Sequence, residues 1–328
     1  MNTPLKFSII IPVFNAEKYI SKCILSLIHQ DITLDEYEII VINDGSTDNS
    51  TQICDELSEK YHNIKHIITT NSGVSAARNR GLDIAQGELI LFLDADDYFT
   101  TNTLSNIYKA FNEQQLDILI FNYNYWDSQG NLLQGFDEKE RKHYPQIVVP
   151  GKAFIKTEYI PSTVWTMAYR REYMQKMKFH FINIRHEDVE FIPRVCYYAE
   201  KVMYSPSIVC YNYIQSDISF MQNYKKTGFF DKIKAMSSLN KFKEEFVKEK
   251  DIRFHLENYI SSVLMENLKF SFSINSKAQF QMIKSMKLAN LTPLKHAKRK
   301  GVHAILYKYF PALFIAYYRR KHSKRNRS

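Results

Sequence analysis

The sequence predicts an α/β fold around a parallel sheet, followed by a helical, basic extension. Three observations carry this. Short continuous apolar runs at 7–12, 38–43 and 88–93 have the length of strands buried on both faces, as parallel strands are. Between them lie stretches with apolar residues at helical spacing, so that strand and helix alternate up to about Trp126. Beyond about Phe220 the pattern is helical and rich in lysine.

The first strand, over 7–12, ends in Pro12, which cannot continue a hydrogen-bonded ladder. Asn15 then offers a helix N-cap, and Tyr19, Ile20, Cys23, Ile24, Leu27 and Ile28 recur on one helical face. A second strand over 38–43 runs into Asp44-Gly45-Ser46-Thr47-Asp48, where Thr47 or Asp48 caps a helix expected over about 48–61. A strand over 64–70 precedes the small residues that begin at Gly73 and a helix over about 74–85. The strand over 88–93 ends in Asp94-Ala95-Asp96, and a fifth strand covers 116–125. Residues 127–150, polar and broken by Gly130, Gly135 and Pro145, read as a loop or hairpin. Helical stretches near 152–159 and 189–198 and a strand near 207–214 complete a middle part, 127–220, before the extension of 221–328.

The formal net charge of +9 is unevenly spread. Residues 1–220 hold 20 Lys/Arg against 28 Asp/Glu, whereas residues 221–328 hold 24 against 7, so the C-terminal part is suited to an anionic partner. Cys23, Cys54, Cys196 and Cys210 are scattered without zinc-ligand or disulfide-framework spacing and read as buried thiols of a reducing compartment. The first residues lack the basic, apolar and cleavage segments of a secretory leader, so secretion is not expected. The stretch 302–318 is apolar and aromatic, contains Lys308 and Pro311, and is followed by Arg319-Arg320-Lys321 and Lys324-Arg325. It is marginal in length for a span and reads as an interfacial anchor on an anionic leaflet, the alternative being a terminal helix packed on its own core.

Chemistry concentrates at strand ends, where ligands of open parallel sheets bind. Asp94 and Asp96, two apart after a strand, place two carboxylates where they can converge, and such hard oxygen ligands suit Mg²⁺ or Mn²⁺ shared with substrate phosphates. Phe14, after the proline-terminated strand, offers a ring on which a planar base could stack, while Asp44 could accept a hydrogen bond from a base N–H. Gly73-Val74-Ser75-Ala76-Ala77-Arg78 combines a helix start with a guanidinium, both favourable to phosphate. Neither G-x-G-x-x-G nor a P-loop occurs in these segments, which argues against a Rossmann dehydrogenase and a P-loop NTPase.

Taken in this order, the segments around Pro12, Asp44, Arg78 and Asp94-Ala95-Asp96 resemble the inverting family-2 glycosyltransferases of bacterial capsule, exopolysaccharide and lipopolysaccharide assembly, whose fold is GT-A, a Rossmann-like mixed sheet. The close match covers about residues 7–126. The resemblance implies that Pro12, Phe14 and Asp44 contact uracil and that Arg78 lies by the base and diphosphate. It also implies that Asp94 contacts the ribose and Asp96 holds the Mn²⁺ or Mg²⁺ that bridges the diphosphate. Asn43 stands where the family often has a second acid, a departure that bears on the preference for UDP. Further on, Arg185-His186-Glu187-Asp188-Val189-Glu190-Phe191 is similar to the family's Glu-Asp motif, which makes Asp188 the base, and Trp165 falls where members often line the acceptor cleft. A core position for Trp165 is the competing reading.

On this resemblance residues 1–126 are the donor-binding half, and 127–220 carry the acceptor site and base of the same GT-A domain. The expected activity is transfer of one hexose or N-acetylhexosamine from a UDP-sugar to a glycan acceptor carried on polyprenyl diphosphate, at the cytoplasmic membrane face. A processive synthase is excluded by the lack of several spans and of Gln-x-x-Arg-Trp. A nucleic-acid-binding protein would rest on the basic C-terminus alone, without a zinc-finger or RNP-like signature, and no nucleic-acid partner is expected. A silent sugar-nucleotide binder is opposed by the presence of Asp94, Asp96 and Asp188.

Overall fold

The computed structural model describes residues 4–133, 141–157, 159–215, 221–271, 276–289 and 291. The chain divides into two compact units, one of residues 1–183 and 195–217, the other of residues 184–194 and 218–328.

The first unit is built on one mixed sheet. Strands β1 (Phe7–Val13), β2 (Tyr37–Asn43), β3 (Ile64–Ile68) and β4 (Leu89–Phe92) are parallel, in the order β3-β2-β1-β4. Every residue of β1, β2 and β4 is buried, which explains their largely apolar sequences; of the buried polar exceptions, the Ser8 hydroxyl donates to Glu38 at 2.5 Å. Helices α1 (Ile20–Ile28), α2 (Ser50–Lys60) and α3 (Val74–Ile84) connect them, and α1 buries the face of Ile20, Cys23, Ile24 and Leu27. Pro12 is tolerated because pairing of β1 with β4 stops at Ile10, so the missing N–H falls beyond the end of that ladder.

Beyond β4 the sheet continues through β8 (Met167–Arg170), β6 (Ile118–Trp126), β9 (Val202–Ile214) and β5 (Tyr98–Phe99), with β7 (Leu132–Leu133) paired to β6. The strands β8 and β5 run antiparallel to their neighbours, while β6 and β9 are parallel to each other with register shifts around Asn122. Helices α4 (Leu104–Gln114), α5 (Gly151–Lys156) and α6 (Arg171–Lys176) pack outside. Four elements lie outside the sequence expectations. They are α4, α6 and the short strands β5 and β8, of eleven, six, two and four residues. Strand β9 extends well upstream of the expected 207–214.

The second unit begins with residues 184–194, which include the first turns of α7 (Asp188–Tyr198), and continues in α8 (Met221–Phe246), α9 (Lys250–Ser271) and α10 (Ser276–Leu288). Met236, Leu239, Leu256, Leu264 and Met265 are fully buried in it. The ammonium of Lys243 is also buried and is neutralised by Glu257 at 2.9 Å and Glu244 at 3.0 Å. The segments 134–140 and 302–328, including the expected anchor, lie outside the described residues. No helix among the described residues is long and apolar enough to cross a membrane. All four cysteines are buried and unpaired, as their spacing predicts.

Candidate active site

The loops after β1 and β2 hold one another. Asn15 adopts a left-handed φ of 51° and its side-chain oxygen accepts the N–H of Thr47 at 2.8 Å, while its own N–H donates to Ser46 Oγ at 3.0 Å. Two further bonds join the loops, from Glu17 N–H to the Asp48 carboxylate at 3.1 Å and from Asn49 N–H to the Glu17 carboxylate at 3.0 Å. This bracing leaves Phe14 50% exposed on an ordered loop, an unusual position for a phenylalanine and a suitable one for stacking. Asn43 shapes the β2 turn, accepting Ser46 N–H at 2.9 Å and donating to Thr51 Oγ1 at 2.8 Å, so its amide serves the turn as both acceptor and donor.

Asp44 is almost wholly buried. Its carboxylate accepts Ser72 N–H at 2.8 Å, Gly73 N–H at 2.7 Å and Thr69 Oγ1 at 3.4 Å, which tethers the β3–α3 loop to the end of β2. Gly73, at φ 93°, supplies the backbone shape this requires. Arg78, on α3, is also buried; its Nη2 donates to Asp94 Oδ1 at 2.7 Å and its guanidinium lies against the edge-to-face pair of Phe92 and Phe181, 5.9 and 5.7 Å from their centroids.

The acidic segment is a turn. Strand β4 ends at Phe92, and Asp97 N–H donates to Asp94 C=O at 3.1 Å, so Asp94 and Asp96 stand on a tight bend rather than on the extended strand that their spacing suggests. The cause is Asp97, whose buried carboxylate accepts the Tyr211 hydroxyl at 2.6 Å and Ile214 N–H at 2.8 Å and thereby pins the segment to β9. The same Tyr211 oxygen accepts Asp94 N–H at 3.2 Å. Asp96 is left exposed at the surface of the bend. Although the residue as a whole is exposed, protein packed around its carboxyl displaces part of the water there, and this, and then the charge of Asp94, push that carboxyl up to about 6. Two crowded carboxylates of this kind, hard oxygen donors whose repulsion a cation relieves, fit Mn²⁺ or Mg²⁺. Among the described residues no group of three or more metal-ligating side chains occurs, so a cation here would complete its shell with substrate oxygens and water.

Asp97 and Tyr211 are site residues that the sequence reading missed. No local signal marks Tyr211, which lies 114 residues from Asp97. Its ring stacks on Trp165 at 4.2 Å, and Trp165 is buried against Tyr123 and Tyr213 as well, which makes it a core residue. Tyr211→Phe keeps that stack but orphans a buried Asp97 oxygen, a loss on the order of 1–3 kcal/mol. If the donor is the UDP-sugar that the resemblance implies, the expected result is a lowered melting temperature together with about tenfold weaker UDP binding in the presence of Mn²⁺. Unchanged UDP affinity in calorimetry would return Tyr211 to a packing role.

Asp188 belongs to the second unit, half-buried at the first position of α7. Of the acids near it in sequence, Glu190 is fully buried and held by Arg194 through two bonds of 2.8 and 2.9 Å, with Ser238 Oγ at 3.0 Å. Its charge is therefore spent within the unit. Glu187 C=O accepts the N–H of Phe191 at 2.8 Å and so belongs to the helix start. Burial, reinforced by Lys232, lowers His186 to about 4 and keeps it neutral at physiological pH.

The model of Glycosyl transferase family 2 matches residues 8–177, more than half of the chain. Glycosyltransferase GlyA of Streptococcus pneumoniae is 33% identical over 65% of this chain, and the poly(ribitol-phosphate) beta-glucosyltransferase of Bacillus spizizenii is 42% identical over 35% of it. The matched region spans only 31% and 19% of the lengths of these two relatives. Residues 1–349 of TarS from S. aureus, solved in complex with UDP and with UDP-GlcNAc, superpose with a TM-score of 0.73 at 23% identity, over 98% of this chain and 92% of that one. The mixed sheet is thus that of the GT-A fold. The chain belongs to glycosyl transferase family 2.

Proposed function

We propose that this chain is a metal-dependent inverting glycosyltransferase that moves a single hexose or N-acetylhexosamine from a UDP-sugar to a hydroxyl of a surface-glycan acceptor, carried on polyprenyl diphosphate. The observation that carries the reading is the Asp94–Asp97 turn at the end of β4, with Arg78 bonded to Asp94 at 2.7 Å and Asp96 exposed. The complexes of TarS with UDP and UDP-GlcNAc support a uridine donor, and the poly(ribitol-phosphate) relative supports a cell-surface polymer as acceptor.

Phe14 stacks on uracil beside Pro12, and Asp44, with about three of its four acceptor sites spent on the loop, offers the remaining one to a base N–H. Arg78 neutralises Asp94, which lets that carboxylate accept ribose hydroxyls without repelling the diphosphate. Asp96 would hold a divalent cation, which when bound would supply positive charge to the leaving diphosphate. Asp188 removes the proton of the attacking acceptor hydroxyl, and attack opposite the leaving group inverts the anomeric centre.

The test is a set of UDP-sugars incubated with the protein, Mn²⁺ or Mg²⁺ and lipid-linked acceptors, with the product's anomeric configuration read by NMR. Transfer with inversion is expected from one of them; transfer with retention, or from no UDP-sugar, contradicts the reading.

We place the enzyme on the cytoplasmic membrane face, held by residues 302–328. Their aromatic stretch and basic cluster are attracted to acidic lipid by about 1 kcal/mol per charge near the surface. Deleting 302–328 is expected to release the protein from anionic vesicles in sedimentation, and salt is expected to weaken binding of the full chain. Equal pelleting of both proteins would show that the tail is no anchor.

A further inference from the structure

A cavity of about 300 Å³ opens beside Asp96, between the turn that leads into α1 and the turn between β6 and β7. Of the residues assigned above to base, ribose and metal, it shares Asp96 alone; Phe14, Asp44, Arg78 and Asp94 do not line it. Its volume is at the small end of ligand pockets and suits one monomer unit.

The charges in this cavity are unequal in what they have left to give. Asp97 has both oxygens occupied by Tyr211 and Ile214, and Asp127 is consumed by Gln129 N–H, Asn131 N–H and Asn131 Nδ2 at 2.8–2.9 Å. Lys18 and Lys22, four residues apart, are exposed, and among the described residues neither is in an ion pair. The Lys22 ammonium sits 3.7 Å from the centroid of the Tyr98 ring, which holds it at the wall. That wall is braced: Trp126 Nε1 donates to Asn212 Oδ1 at 2.9 Å, and Asn212 Nδ2 donates to Thr100 Oγ1 at 2.9 Å and Tyr98 C=O at 3.3 Å. Lys18, and Lys22 held over the Tyr98 ring, are ammonium groups with no carboxylate partner among the described residues beside the braced face of Trp126, and together they favour an anion attached to a polyhydroxylated unit.

We propose that this cavity is the subsite for a phosphate-bearing unit of the acceptor, bound through Lys18 and Lys22 with its carbon skeleton against Trp126. The proposal rests on the transferase reading above and specifies its acceptor as phosphorylated at or next to the unit that receives the sugar. The same ammonium groups could instead meet the donor's diphosphate, and the experiment separates the two sources.

The full chain, saturated with UDP and Mn²⁺, is titrated calorimetrically with a glycerol-phosphate trimer and with an uncharged trisaccharide. The phosphorylated trimer is expected to bind more tightly than the neutral one, with an affinity that falls as salt rises. Lys18→Gln/Lys22→Gln is expected to weaken it at least about tenfold, and Lys18→Arg/Lys22→Arg to restore most of the loss. UDP affinity is expected to change less than about twofold in both variants. Equal binding of the two trimers, no binding of the phosphorylated one, or unchanged binding in the Gln variant overturns the proposal; a parallel loss of UDP affinity assigns the lysines to the donor. Failure of the wild-type protein to bind UDP is a separate outcome, which overturns the transferase reading itself.

Discussion

Asp96→Ala is expected to abolish metal-dependent UDP binding. Removing a partner that only supports a metal ligand costs roughly 10–100-fold, so loss of the carboxylate that faces the cation should exceed that range. Misfolding is not the expected cause. The carboxyl of Asp96 is raised to about 6, above its unfolded value, so its ionisation opposes folding: stability is lost as pH rises toward 6, and the penalty persists at neutral pH. Alanine removes that penalty, and the metal-free variant should melt no lower than the wild type. Calorimetry with UDP and Mn²⁺ measures the binding; wild-type affinity in the variant would remove Asp96 from the metal role.

Asp188→Asn is expected to spare donor binding and to lower transfer by roughly a hundredfold to ten-thousandfold, the range of a positioned general base. The amide matches the carboxylate in shape and can still serve the start of α7, forfeiting only about 0.3–1 kcal/mol of charge–dipole interaction. The burial of Glu190 in its pair with Arg194 means that its charge is compensated independently of Asp188, so the variant should leave that part of the second unit intact. UDP affinity and turnover are to be measured on one preparation. Near-wild-type turnover would leave Asp188 as a helix-start residue.

The parallel part of the fold was legible because its physics is local. Strands buried on both faces are largely apolar, and α1 must alternate with the helical period, so β1, β2, β4 and α1 could be placed from residues 7–93 alone. The antiparallel insertion was not legible. Strand β8 has only four residues, follows a short 3₁₀ turn, and exists because β4 and β6 flank it; nothing in Met167–Arg170 itself specifies that place. The same division holds for the site. Phe14, Asp44, Arg78, Asp94 and Asp96 stand out by type and position; the structure puts Phe14, Asp44, Asp94 and Asp96 just after adjoining strands, and Arg78 on α3 bonded to Asp94. What shapes Asp94–Asp97 into a turn is a hydroxyl more than a hundred residues away, and only the folded sheet brings Tyr211 to it. Asp97, next to Asp96 in sequence, is a buried strut.

The central claim, that the ends of β1, β2 and β4 bind uridine diphosphate through a divalent cation, is tested most directly by thermal unfolding of the full chain with UDP, GDP or ADP, in Mn²⁺ and in EDTA. A ligand that binds only the native state raises the melting temperature by mass action. UDP with Mn²⁺ is expected to stabilise the protein by several degrees, GDP and ADP to do so far less, and EDTA to erase the effect of UDP. Equal shifts with all three nucleotides, or a UDP shift that survives EDTA, would contradict the account.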